Sequence, residues 1–276
     1  MPATRECLEF LVEAANDLGA DEDRFCLIGG WAVYALTEVF QAAKTRATVR
    51  HRGSLDVDLS LAVLKLSAAA ADRLRGRLER AGYARRSSFR WRRAMPSGHE
   101  YDLDLMMVPP AGHAGGALHI GSLDFAPFWN GEAALRDTTT VLIRSITTVG
   151  QTAETRVRVA DAAGLVYVKT LVASFTHDQP RETRAKHLFD VYALASTYPG
   201  GQKALAERLR ETLTAEQVED LAMALSVAFE PEAEGVRLVA EVIAGGGAAP
   251  DRYLNRVEVP MRRLIRELSA GPASVR

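Results

Sequence analysis

FCLIGGWAVYAL, residues 25–36, and RHRGSLDVDLSL, residues 50–61, joined by a basic connector, are the stretch around which this chain is organised. The apolar run 25–28 ends in Gly29-Gly30 and passes into a helical apolar pattern over 30–43, which predicts a strand, a turn without side chains and a helix. Backbone N–H groups at such a helix N-terminus favour an anion, so the turn is expected to seat a phosphate. In the second half Asp56 and Asp58 alternate with Leu55, Val57, Leu59 and Leu61. On a strand, residues two apart share a face, so both carboxylates fall on one side while the apolar residues enter the core. Two adjacent carboxylates repel unless a cation neutralises them, and the pair predicts a Mg²⁺ site.

The composition frames this stretch. A chain of 276 residues, 47% hydrophobic and 25% charged, is expected to form one or two soluble domains with a sizeable core rather than a disordered chain. The N-terminus MPATRECLEF has no basic region followed by an apolar one, and no apolar run reaches the ~18 residues of a membrane span, so a cytoplasmic protein is expected. Cys7 and Cys26 lie in no Cys-x-x-Cys and beside no His at metal spacing; they read as small buried hydrophobes, without zinc or a disulfide framework. The net charge of −1 excludes a uniformly basic surface, but residues 41–100 hold 14 Lys or Arg against 5 Asp or Glu, 14 − 5 = +9, leaving −10 elsewhere. A polyanionic partner near the first domain follows.

Outward from the acidic strand at 54–61, the periodicity predicts a helix over 4–19 before it and, after it, a helix over 67–81 capped by Ser67, closed by Gly82 and carrying an arginine-rich solvated face. ARRSSFRWRR (84–93) and HEYDLDLMMV (99–108) alternate around Pro96-Ser97-Gly98 and predict two antiparallel strands, the second placing Asp102 and Asp104 on one face. Residues 109–131, rich in Pro, Gly and Ala, read as a surface loop, and 137–159 as one or two strands. Beyond about residue 160 the pattern is helical throughout: 160–176, 181–197, 202–212, 214–229, 232–244 and 251–269. Two domains are expected, 1–155 and 156–276.

A Gly-Gly turn followed by Arg52-Gly53-Ser54-Leu55-Asp56-Val57-Asp58 resembles the core of the nucleotidyltransferase superfamily. The resemblance implies an α/β fold with a mixed sheet and flanking helices, followed by an all-helical C-terminal domain that completes the active-site cleft. It also implies transfer of an NMP from an NTP to a hydroxyl. Members commonly take a third metal carboxylate from a neighbouring strand, here Asp104 first and Asp102 second. Two Mg²⁺ ions on Asp56, Asp58 and Asp104 are expected, with Gly29, Gly30, Arg52 and Ser54 toward the phosphates.

A second resemblance lies in the helical region. Lys169 sits among Tyr167, Val168 and Leu171, and Lys186-His187-Leu188-Phe189-Asp190 is similar to the Lys-Asp-x-x-Asp element of AbiEii-type nucleotidyltransferase toxins, including the mycobacterial MenT group. This resemblance implies an active site of Ser54, Asp56, Lys169 and Asp190, with Lys169 on the leaving pyrophosphate and Asp190 orienting it. An interhelical salt bridge is the competing and compatible reading. Departures are Trp31 where many members place Ser or Thr, His187 in place of the first Asp, and a longer connector. GGWAV resembles the lincosamide and aminoglycoside nucleotidyltransferases.

The toxin resemblance implies RNA, at the 3′ end of tRNA, as acceptor and a cognate antitoxin as partner. Arg90, Arg92 and Arg93 are then expected to meet phosphates, with Phe89 and Trp91 stacking on bases. Alternation puts Phe89 and Trp91 on one face and Arg90 and Arg92 on the other, so two core aromatics is the competing reading. A small antibiotic as acceptor is the alternative enzyme. A catalytically silent binding protein is the alternative class, against which three carboxylates and Lys169 argue.

Overall fold

The computed structural model describes residues 2–18, 25–42, 49, 56–61, 66–146, 150–175, 179–230, 232–246 and 248–270, with 2–5, 56–61 and 175 described by their backbone alone. It divides into two compact units, Met1–Ala35 with Arg52–Asp161, and Leu36–His51 with Ala162–Arg276.

The first unit is α/β. Its elements are α1 (Pro2–Leu18), β1 (Phe25–Leu27), the start of α2 (Gly29–Ala42), β2 (Asp56–Leu61), α3 (Ala68–Arg80), β3 (Ala84–Arg85), β4 (Arg90–Ala94), β5 (Glu100–Met107), β6 (Leu118–Ile120), β7 (Leu123–Pro127), the short α4 (Gly131–Leu135), β8 (Thr139–Ile146) and β9 (Thr152–Val159). The strands run in the order β3-β4-β5-β2-β1-β9-β8, and the β6–β7 hairpin joins β5. The sheet is mixed: β2 lies parallel to β5 and antiparallel to β1, and β1 lies parallel to β9. Ser67 caps α3 as its sequence predicts, its Oγ accepting from Ala70 N at 3.3 Å.

Alternation decides which residues each strand buries. On β5, Tyr101, Leu103 and Leu105 are buried on the face where Phe10 of α1 stacks on Tyr101 with ring centroids 5.4 Å apart. Trp91 of β4, 2% exposed, is a core residue of that region. Asp102 and Asp104 consequently stand on the opposite face.

Residues 109–131, expected as a loop, contain the β6–β7 hairpin instead. Its two-residue turn is Gly121-Ser122, with Gly121 at φ +56, and Leu123 and Phe125 are buried behind it. Strand β7 takes the side of β5 that β4 leaves, pairing Met106 with Ala126 after β4 has ended opposite Glu100–Asp104. Pro and Gly on either side of an eight-residue alternation had masked it in composition.

The second unit is helical: α5 (Ala162–Phe175), α6 (Arg181–Thr197), α7 (Gly201–Thr212), α8 (Ala215–Phe229), α9 (Glu234–Ala244) and α10 (Asp251–Ser269). Helices α5 and α6 form a hairpin, and α10 packs across α7, α8 and α9. Gly235 permits the close approach of α9 to α8, since a Cβ there would meet Ala228 O at 2.2 Å. Arg210 of α7 donates to Leu268 O at 3.2 Å and to Glu267 O, satisfying carbonyls at the end of α10. Leu36–His51 belongs to this unit, where Phe40 stands edge-on to Tyr198 at 5.5 Å, and within the segment Gln41 brackets Val49 with two hydrogen bonds of 2.8 and 3.1 Å. Among the described residues no helix is long and apolar enough to cross a membrane.

Candidate active site

Three neighbouring strands build the acidic centre of the first unit. Parallel pairing sets Asp56 beside Asp102 and Asp58 beside Asp104, so four acidic positions occupy two adjoining rows of one sheet face. Antiparallel pairing of β4 with β5 extends each row by a cation: Arg92 registers with Asp102 and Arg90 with Asp104. The side chains follow the register. Arg90 Nε and Nη2 donate to the two oxygens of Asp104 at 2.6 and 2.5 Å, and its Nη1 lies 3.7 Å from Asp102. Arg92 Nε and Nη2 donate to the two oxygens of Asp102 at 2.5 and 2.8 Å, while its Nη1 reaches Glu100 at 3.0 Å. Both carboxylates are buried, at 6% and 7% exposure. The Arg92 guanidinium holds the Asp102 carboxyl below its ordinary range, against the opposing effect of burial.

This donor set fits a hard divalent cation. Carboxylate oxygens are the ligands Mg²⁺ takes, and an ionised carboxylate has about four lone-pair sites, of which a bidentate guanidinium uses two. Among the described residues no three Asp, Glu, His or Cys side chains converge as a ligand group. The backbone register sets Asp56 and Asp58 at the matching positions of the adjoining strand.

The glycine turn has the expected form. Gly29 opens α2 at φ +72, a left-handed conformation that favours glycine, and Gly30 is buried behind it. Trp31 is fully buried and packs edge-on against Tyr34 at 5.2 Å. The position where many superfamily members present a hydroxyl to phosphate is thus a core position in this chain. Arg52 and Ser54 lie outside the described residues.

In the second unit, Lys169 of α5 and Asp190 of α6 form a buried ion pair, Nζ to Oδ2 at 2.6 Å, with exposures of 6% and 1%. Both residues stand out in the sequence, a cation and an acid on largely apolar helices. His187, a departure from the family element in sequence, has a distinct physical character in the structure. Burial first, and the Lys169 cation second, push the His187 imidazole down to about 4, and among the described residues its Nδ1 has no hydrogen-bond partner. The imidazole is therefore neutral at pH 7, so the position that carries an acid in the related element carries an uncharged ring here.

A stability prediction follows. The unfolded chain protonates this histidine near 6.5 and the folded chain only near 4, so the folded state binds fewer protons between those values. Stability from this group is full above pH 6.5 and declines as the pH falls to about 4, by up to roughly 3 kcal/mol. Denaturant melts at pH 7 and 4.5 should show a smaller pH difference for His187→Gln than for the unsubstituted protein, and an unchanged difference refutes this account.

The expected acceptor contacts need correction. Arg93 lies on the face opposite Arg90 and Arg92: its guanidinium stands over the rings of Phe10 and Tyr83 at 5.5 and 4.9 Å, and it pairs with Asp17 at 2.8 Å and with Glu13. At 13% side-chain exposure it fastens α1 to β4. Arg90 and Arg92 spend their forks on the acidic rows, so none of the three stands as an uncommitted phosphate contact. Alternation in FRWRR against DLD carried this signal, because arginines and aspartates at matching parity on antiparallel strands share a face.

Comparison with known proteins identifies the family. No curated protein matches the chain. Among solved structures, the CD-NTase CdnG of Bradyrhizobium diazoefficiens in complex with GTP is similar over 97% of this chain and 84% of that one, at 12% identity and a TM-score of 0.28, a value too low to carry an argument. The family model described as "Nucleotidyl transferase AbiEii toxin, Type IV TA system" matches residues 11–241. That span covers the glycine turn, the acidic strands and the Lys169–Asp190 pair, and the chain belongs to the AbiEii family of nucleotidyltransferases.

Proposed function

We propose that this nucleotidyltransferase moves an NMP from an NTP to a hydroxyl of RNA, at the 3′ end of tRNA, in a Mg²⁺-dependent reaction, as the toxin of a toxin–antitoxin pair. The observation that carries the metal dependence is the register of β2 and β5, which sets Asp56 beside Asp102 and Asp58 beside Asp104. The acceptor oxygen forms a bond to the α-phosphorus, the bond from that phosphorus to the bridging oxygen breaks, pyrophosphate leaves and the hydroxyl proton passes to solvent. Mg²⁺, when bound, activates the attacking oxygen and neutralises triphosphate charge. Asp56, Asp58 and Asp104 are assigned as its ligands, with Asp102 as the alternative third. Gly29 and Gly30 offer backbone donors to phosphate, and Arg52 and Ser54 are assigned side-chain contacts there. Lys169, held by Asp190, is assigned to the charge that develops on the leaving pyrophosphate.

The RNA acceptor is supported by the +9 balance of residues 41–100, and the exposed Arg73, Arg80 and Arg86 replace Arg90, Arg92 and Arg93 as candidate phosphate contacts. Reversing the charge of all three should weaken RNA binding across sequences and flatten its salt dependence by up to about three units of slope. Incubation with each α-labelled NTP and bulk tRNA, with Mg²⁺ or with EDTA, tests the whole reading. Label entering RNA only with Mg²⁺ is expected. Absence of label in any RNA, with transfer to an aminoglycoside or lincosamide in its place, overturns the acceptor.

A further inference from the structure

The acidic face is a charge ledger written by three strands. Its two rows, Arg92–Asp102–Asp56 and Arg90–Asp104–Asp58, hold two guanidinium cations and four carboxylate positions, 2 − 4 = −2. One divalent cation balances that sum, and a second does so only with added negative charge. The two arginines are not equivalent. Arg92, 27% exposed along its side chain, commits Nε and Nη2 to Asp102, as Arg90 does to Asp104, and is tied down by a second full ion pair, Nη1 to Glu100 at 3.0 Å. Arg90 commits Nε and Nη2 to Asp104, reaches Asp102 at 3.7 Å with its remaining nitrogen, and is 37% exposed along its side chain. A guanidinium in that position can exchange a carboxylate for another planar or tetrahedral anion presented from solvent.

We propose that Arg90 is a gate on Asp104: it occupies, before nucleotide arrives, the carboxylate that completes the metal site, and the triphosphate draws it away. The proposal rests on the Mg²⁺ reading above and deepens it. Arg90 and metal compete for one buried carboxylate, so metal binding is weak without nucleotide and strong with it. Because the coupling is reciprocal, nucleotide binding depends on metal to the same degree. The arrangement keeps the buried Asp104 carboxylate, at 7% exposure, paired with a cation before metal arrives. Arg90 is thus a positioning residue that acts through Asp104.

The test is Mn²⁺ binding to the full chain, followed by the electron-spin-resonance signal of free Mn²⁺, with and without a non-hydrolysable NTP analogue. In the absence of nucleotide, Arg90→Gln is expected to bind Mn²⁺ about tenfold or more tightly than the unsubstituted protein, because the competing cation is gone. The gain should vanish in Arg90→Gln with Asp104→Asn. Against a control with analogue alone, which chelates Mn²⁺ by itself, adding the analogue should raise the affinity of both proteins, and by the larger factor in the unsubstituted one. In EDTA, Arg90→Gln should melt lower than the unsubstituted protein and gain more from Mn²⁺. Should it fail to fold without metal, Arg90→Lys, which keeps the charge and loses the fork, should show a smaller gain in the same direction.

Equal or weaker Mn²⁺ binding by the Arg90 variants, with Asp58→Asn still abolishing it in the parent, overturns the gate and leaves the metal site standing. Mn²⁺ binding indifferent to both Arg90 and Asp58 overturns the metal site and the gate together.

Discussion

Asp56→Asn should lose nucleotidyl transfer by about 10²–10³-fold or more while the protein stays folded. The two effects separate for an electrostatic reason. The acidic face carries a net −2 across its registered rows, so removing one negative charge relieves repulsion in the metal-free protein rather than breaking a support. Its melting temperature in EDTA should match or exceed that of the unsubstituted chain. Transfer, however, relies on a cation held there to carry the charge of the reacting phosphate, and an amide is a poor ligand for it. Mg²⁺ should accordingly raise the melting temperature of the unsubstituted protein and do little for Asp56→Asn. Unchanged turnover in Asp56→Asn would remove the residue from the site, whatever the melts show.

Periodicity and breaker residues made the fold legible where one signal was unopposed. The stretch 56–61 alternates strictly, α6 and α10 end where their patterns end, and Ser67 caps the helix it precedes. The β6–β7 hairpin was not legible because it is three and five residues long and embedded among Pro, Gly and Ala, so composition spoke louder than alternation. Register was a harder matter. Asp56-Val57-Asp58 and Asp102-Leu103-Asp104 are each visible as alternating acids, but their side-by-side placement depends on β2 and β5 being neighbours, a non-local pairing that no window of sequence contains. The arginines show the same limit from the other side. Arg90, Arg92 and Arg93 look alike as three cations in a row of four residues, and only the strand's parity separates the two facing aspartates from the one clamped under α1.

The Lys169–Asp190 pair shows where residue identity is legible and its energetic meaning is not. From sequence, a catalytic lysine and an interhelical salt bridge are competing and compatible accounts of the pair, and Lys169→Ala probes both. Burial of both partners means that it should cost stability under either account. Lys169→Ala leaves Asp190 as a charge at 1% exposure without its cation, a loss of about 3–5 kcal/mol for a broken buried pair. If the ammonium also meets the leaving pyrophosphate, turnover of the remaining folded protein should drop ~10²-fold or more. A single substitution therefore cannot apportion the roles, and a matched apolar pair can. Lys169→Met with Asp190→Leu removes both charges at similar volume, an exchange that is often neutral or stabilising for buried ion pairs. The double variant should recover most of the melting temperature lost by Lys169→Ala and none of the transfer. Recovery of both, measured as turnover per folded molecule, would make the pair a brace between α5 and α6 and would return the search for the triphosphate's cation to Arg90.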